Sequence, residues 1–187
     1  MRYLTLIFLF ISVSCSGQFF WSHNNCPTVG QSFQGGVVAY VLQSGDPGYV
    51  EGQCHGIIAS EYDLTDISGI LWFNGSYTTT GATATALGTG NANTNTIVSN
   101  QGAGSYAAKI CADLSLNGYT DWYLPSKDEL NKLYLNQTAI GNFDGEGTYW
   151  SSSEVDQYLV KEQYFGNGLQ NSDNKGYTQQ VRAIRSF

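Results

Sequence analysis

Oxygen-bearing side chains gather in two stretches of the C-terminal third. Gly141-Asn142-Phe143-Asp144-Gly145-Glu146-Gly147 sets Asn142, Asp144 and Glu146 at alternate positions on a glycine-rich backbone. Calcium takes about six to eight oxygen ligands in flexible geometry, and these side chains offer roughly three of them. The full EF-hand spacing is absent, so an acidic surface loop with no ion is the plainer alternative. Further on, Asn167, Gln170, Asn171, Asp173 and Tyr177 bring amides, a carboxylate and an aromatic ring. Amides and hydroxyls bond sugar hydroxyl groups while aromatic faces stack on sugar rings. Together with Asn142, Asp144 and Glu146, these residues form a candidate glycan-binding set; ordinary solvated turns account equally well for any one of them.

Other chemistries are less well supplied. Neither His23 nor His55 has a nucleophile or a second histidine placed beside it, which makes His55 a structural residue rather than a general base. Of the four cysteines, Cys26, Cys54 and Cys111 remain in any mature form, with no C-x-x-C and no zinc spacing. In an oxidising compartment thiols pair. Either one stays free or Cys15 survives to complete a second bridge, and connectivity is not readable from spacing. Cys54 with Cys111 is the expected bridge; the alternative is that Cys111 is a buried small hydrophobe.

The elements that must position these groups centre on Asn117 to Tyr134. The stripe Ala107, Ile110, Cys111 and Leu114 predicts a helix over 106–116 that stops at Asn117-Gly118. Asp121-Trp122-Tyr123-Leu124 reads as a strand ended by Pro125. Ser126-Lys127-Asp128-Glu129 has the capping-box form that starts a second helix, with Leu130, Leu133, Tyr134 and Gln137 on one face. Upstream, Gly35 to Leu42 and His55 to Ser60 read as a hairpin of buried strands around the turn Gly45-Asp46-Pro47-Gly48. Ile70 to Phe73 is another buried piece. Between Tyr77 and Asn100 the chain is low in complexity, and its alternating threonines suggest either a long ordered loop or a strand face of hydroxyls and methyls suited to ice or crystalline sugar. Tyr149 to Glu154, Tyr158 to Phe165 and Gln179 to Phe187 read as strands, the last two joined by a polar run, Gln170 to Lys175. Strands after helices give an α+β fold. Trp122, Pro125, Ser126, Glu129 and Trp150 are structural residues of this frame. Glu154, Arg182 and Arg185 are expected to supply a buried ion pair.

Gly118-Tyr-Thr-Asp-Trp-Tyr-Leu-Pro-Ser-Lys-Asp-Glu-Leu-Asn-Lys-Leu-Tyr134, Tyr149-Trp-Ser-Ser-Ser-Glu154, Gln180-Val-Arg-Ala-Ile-Arg-Ser-Phe187, Val29-Gly-Gln-Ser-Phe-Gln-Gly-Gly36 and the Gly/Thr/Asn tract after Gly81 together resemble the Lcl C-terminal domain family, named from a bacterial collagen-like surface adhesin. The resemblance spans nearly all of the chain after its first residues. It implies a C-type-lectin-like fold, with two helices packed on short antiparallel strands and long polar loops. It also implies a secreted or cell-surface setting and, for the adhesin, binding to sulfated polysaccharide. No catalytic residues come with it.

Composition narrows the partners. The 187 residues are one domain's worth of chain, with 12% charged residues, 22 glycines and a net charge of -7. Such a chain repels polyanions, so nucleic acid and anionic membranes are poor partners, and the sulfated-polysaccharide precedent is weakened. Arg2, the apolar run Leu4 to Val13 and the small residues after it have the layout of a secretory signal peptide, residues 1–17, too short to span a bilayer. Lipid attachment at Cys15 is an alternative. An N-terminal arm, residues 18–33, and one domain, residues 34–187, complete the expected organisation.

Three functions are compatible with these features. A non-catalytic surface module binding extracellular glycan is the first, and a protein-interaction or structural component of an envelope or phage-like appendage is the second. The third is an enzyme, since Trp122-Tyr-Leu-Pro125 before a capped helix is similar to sulfatase-modifying folds. That chemistry needs a cysteine or metal site, and the chain shows neither at a fitting spacing.

Overall fold

The computed structural model describes residues 26–187; the expected leader, the lipid site at Cys15 and the start of the arm lie outside the described residues. From Cys26 on, the arm belongs to the domain. Its strand β1 (Ser32–Phe33) pairs with β2 (Gly36–Val41) through a two-residue turn, Gln34-Gly35, with both residues at positive φ. That is the hairpin geometry whose twist matches its strands. β2 pairs with β3 (Gly56–Ala59) as the apolar runs predict, and β3 pairs with the C-terminal β9 (Ile184–Ser186), completing a sheet of order β1-β2-β3-β9.

This sheet is buried on both faces, which is why its strands are continuous apolar runs rather than alternating ones. Ile58 packs with Trp72, Trp122 and Trp150 in one core, while Val37, Ala39, Ile57 and Ala59 pack with Leu130, Leu133, Tyr149 and Phe165 in another. Gly36 is required by close approach, because a Cβ there would lie 2.3 Å from the Ala59 carbonyl oxygen.

A second antiparallel sheet has the order β5 (Thr148–Glu154), β6 (Leu159–Tyr164), β7 (Gln170–Asn174). A ribbon of β4 (Ile70–Leu71) and β8 (Thr178–Gln179) lies beside it. The helices are α1 (Gly90–Gln101), α2 (Ala107–Ala112), α3 (Lys127–Leu135) and α4 (Gln137–Ile140). The result is a mixed α/β architecture of antiparallel sheets and few helices, four among the described residues rather than the expected two.

Several expectations are corrected here. The low-complexity tract is neither a loop throughout nor a threonine strand, since its second half is α1. The buried positions of α1 are Gly90, Asn93, Thr94, Ile97 and Gln101, a helical stripe made mostly of polar residues. Hydrogen bonds replace apolar packing there: Asn93 Nδ2 donates to the Ala84 carbonyl at 2.6 Å, the Leu124 N–H donates to Thr94 Oγ1 at 3.0 Å, and the Asn74 N–H donates to Gln101 Oε1 at 2.6 Å. α2 ends four residues earlier than its stripe suggests, and Asn117-Gly118, both at positive φ, instead turns the chain between the bridged residues Leu116 and Tyr119. Asp121 to Leu124 forms only a bridge, Tyr123 with Ile184. The polar run Gln170 to Lys175 is strand β7 for most of its length, and the last strand is broken into β8 and β9.

α3 begins as its sequence predicts. Ser126 Oγ accepts from the Glu129 N–H, and Glu129 Oε2 accepts from the Ser126 N–H at 2.7 Å. Glu129 also accepts from Gly88 and Gly90 N–H at 3.0 and 3.1 Å, so one buried carboxylate caps α3 and the start of α1 together. Burial pushes its pKa up, against the lowering effect of those N–H donors.

Candidate functional site

The residues proposed as calcium ligands are engaged one by one in the scaffold. Asn142 Nδ2 donates to the Glu61 carbonyl, Asp144 accepts from the Glu146 N–H and from Gln180 Nε2, and Glu146 accepts from the Tyr164 hydroxyl. The loop is held from beneath by buried Arg182. Its guanidinium pairs with Asp63 at 2.6 Å, donates to the carbonyls of Ser60, Glu61, Gly141 and Asn142, and lies 3.9 Å from the Phe143 ring. A cation is therefore already built into this loop's backing. Among the described residues no group of three or more His, Cys, Asp or Glu is disposed to hold a metal ion.

The remaining glycan candidates lie on or next to the β6–β7 hairpin. Asn167 Oδ1 accepts from the Leu169 N–H and shapes the turn, and Gln170 Nε2 donates to the Lys127 carbonyl at 3.0 Å, tying β7 to α3. Asn171 is exposed opposite Glu162 in the register. Asp173 and Glu162 both accept from Gln179 Nε2, at 3.1 and 3.0 Å, which binds β7 and β6 to β8. Burial first, then the neighbouring Asp173, pushes the Glu162 pKa up to about 7. The structure thus does not gather the eight candidates into one cleft, because most of their polar atoms hold turns and strands.

Buried ion pairs are present, with partners the sequence reading did not assign. Glu154 pairs with Lys175, not with an arginine; both side chains are fully buried. Thr80 and Gly81 donate their N–H groups to the same carboxylate at 2.8–2.9 Å, Lys175 Nζ donates also to the Thr78 carbonyl, and the ammonium lies 4.6 Å from the Trp72 ring centroid. Burial raises the Glu154 pKa, but Lys175 and these N–H donors outweigh it and hold the carboxyl below its ordinary range. Arg185 makes a two-point contact with Asp121, at 2.7 and 2.9 Å, and stacks 4.0 Å from the Tyr119 ring.

The expected Cys54–Cys111 bridge is also corrected. Cys26 bonds Cys54, with Cα atoms 5.4 Å apart, whereas Cys111 is a free thiol buried in the α2 face of the core. Its helical stripe points it inward, so it behaves as the small hydrophobe that was the alternative. Beside the bridge a cavity of 260 Å³ is lined by Phe33, Phe187, Gln31, Gln34 and His55. His55 Nδ1 lies 3.3 Å from the Phe187 carbonyl oxygen and Nε2 2.9 Å from Gln53 Oε1, contacts that fit a structural histidine.

A different surface stands out. Tyr77, Tyr158 and Tyr177 are 44%, 48% and 61% exposed. The rings of Tyr77 and Tyr158 meet edge to face at 5.3 Å, and Tyr77 rests on Phe73 at 4.7 Å. The Tyr77 hydroxyl donates to Asn174 Oδ1 at 2.7 Å, and the same oxygen accepts from the Gly176 N–H. The Lys175 N–H donates to the Tyr158 carbonyl and the Tyr177 N–H to the Asn174 carbonyl, so the β7–β8 turn supports all three tyrosines. Exposed Val155 precedes Tyr158 in the β5–β6 turn. Only Tyr177 was singled out from sequence. Tyr77 sits 97 positions from Asn174 in the low-complexity tract, and no local pattern marks that contact.

No protein-family model matches the chain, and no curated protein matches it. Among solved structures, a fimbrial protein from Bacteroides ovatus is similar in fold, with a TM-score of 0.51 and 17% identity over 70% of this chain and 35% of that one. The chain therefore spans about a third of that protein's length, and the likeness is one of fold.

Proposed function

We propose that this chain is a non-catalytic component of a bacterial cell surface or surface appendage, an adhesion or structural module that binds a protein partner through its Tyr77–Tyr158–Tyr177 face. The observation that carries this reading is the exposed tyrosine cluster, in which Tyr77 and Tyr158 meet edge to face, while most of the polar groups first proposed for glycan are occupied by the scaffold. Aromatic clusters with polar rims are favoured at protein contacts because rigid rings give large area at small entropy cost. The fold likeness to a fimbrial protein, the leader pattern and the Cys26–Cys54 bridge support an exported setting, either secreted or lipid-anchored through Cys15. The Lcl C-terminal and C-type-lectin-like readings remain part of the proposal. They are supported by the way the first and last strands of the domain share one sheet.

Glycan is the second reading, favoured by the same exposed rings beside Asn174 and Asp173. The test is chemical cross-linking and pull-down from the surface fraction, run in parallel with a glycan array, using native protein and a Tyr158→Ser/Tyr177→Ser variant. A protein captured by the native chain and lost by the variant supports the first reading. Array signal lost by the variant moves the assignment to glycan, and capture undiminished by the variant refutes the tyrosine face.

A further inference from the structure

Glu162 stands in the middle of β6, nearly buried at 8% exposure, with Trp150 of β5 on one side of the register and Asn171 of β7 on the other. Asp173 of β7 stands diagonally across the register from it, opposite Val160 where Asn171 stands opposite Glu162, on the same face of the sheet. Gln179 of β8 divides its amide between them, at 3.0 Å to Glu162 Oε2 and 3.1 Å to Asp173 Oδ2. Asp173 Oδ1 in turn accepts from the Asn174 N–H at 2.7 Å.

Among the described residues, the strands around this pair bring it no free cation. Lys161 Nζ donates to Ser172 Oγ, Lys175 is turned to Glu154 and Thr78, and Glu154 at the end of β5 is paired with that lysine. β4 and β8 bring Ile70, Leu71, Thr178 and Gln179, which carry no charge. Two carboxylates that accept from one amide nitrogen on one sheet face, without a counter-ion, cannot both ionise cheaply, and the low-cost state keeps a proton on the nearly buried Glu162.

We propose that Glu162 keeps its proton and turns it to the Asp173 carboxylate, a carboxyl clasp that with Gln179 locks β7 and β8 onto β6, and that losing this proton to solvent base loosens the Asn174–Tyr177 turn. That turn braces Tyr77 and carries Tyr177. The clasp thus makes the tyrosine face pH-sensitive, ordered in acidic to neutral medium and released above it. The consequence for binding rests on the function proposed above, but the clasp is tested by strand order and titration, so the two fail separately.

The experiment is a carboxyl ¹³C titration of the full chain by NMR, joined to hydrogen exchange of amides 170–179 at pH 5 and pH 8.5. A Glu162 midpoint near 7 is expected, with exchange of the 170–179 amides at pH 8.5 about tenfold faster than base catalysis alone gives. Glu162→Gln keeps the hydrogen bonds without the titration, so the extra exchange should vanish; Asp173→Asn removes the repulsion and should lower the Glu162 midpoint. A Glu162 midpoint in the ordinary glutamate range, or equal exchange excess in native and Glu162→Gln protein, overturns the clasp. If Glu162→Gln does not fold, the native titration decides.

Discussion

Removing the ammonium of Lys175 is the sharpest test of how this domain is held together. Lys175→Met keeps the length and the packing on Trp72 while leaving the Glu154 carboxylate without its counter-charge. Both side chains of the pair are fully shielded from water, so the exposed-pair value of less than 1 kcal/mol does not apply. Breaking a buried pair by one partner costs about 3–5 kcal/mol. The Thr80 and Gly81 N–H groups still reach the carboxylate and set the expectation toward the lower end. In a domain of this size about 2–4 °C of melting temperature is lost per kcal/mol, so the midpoint should fall by roughly 10 °C. Urea melts with circular dichroism give the free energy directly. Glu154→Gln in the same chain relieves the stranded charge, so the double variant should be more stable than the sum of the single losses by about 1–3 kcal/mol. A Lys175→Met protein that melts within about 2 °C of native, or single losses that simply add, would refute the reasoning.

Four further outcomes follow from other contacts of the fold and from the same ion pair. Cys54→Ser opens a loop of sequence separation 28 and should cost about 3–4 kcal/mol on the chain-entropy account. Peptide mapping of native protein should find Cys26 joined to Cys54 and Cys111 reactive only after unfolding, as its buried thiol, with pKa pushed well up, requires. Gly90→Ala gains helix propensity of about 1 kcal/mol but sets a Cβ 2.2 Å from Glu129 Oε2 and 2.8 Å from the Ser126 nitrogen; overpacking wins, and a net loss of about 2 kcal/mol is expected in denaturant melts. Glu154, whose pKa is lowered on folding, contributes stability that is present above the ordinary glutamate range and lost as pH falls through its folded value. Native protein should therefore show an acid-side drop in melting temperature that is smaller in Glu154→Gln, where lowered carboxyls such as Asp121 still contribute.

What the sequence discloses and what it hides divide along one physical line. Contacts that are local, or that recruit apolar residues in a period, were legible. The capping box at Ser126 and Glu129 spans three positions, and the buried hairpin strands announce themselves by β-branched runs. Helix α1 was hidden because its inward stripe is Gly, Asn, Thr and Gln with only Ile97 apolar, and its order comes from hydrogen bonds to Ala84, Leu124 and Asn74 that no periodicity encodes. The ion pairs show the same limit. That a chain with so few charges would bury some was readable from composition, but the choice of Lys175 over Arg182 for Glu154 depends on the β7–β8 turn folding back beneath Thr78 to Gly81. The candidate site inherits this. Most residues named for their free oxygens are the ones a chain poor in Lys and Glu uses to tie its own loops, so polarity marked the scaffold. The exposed tyrosines, which a core-first reading discounts, carry the proposed contact because their rings stay at the surface while the turn beneath braces them.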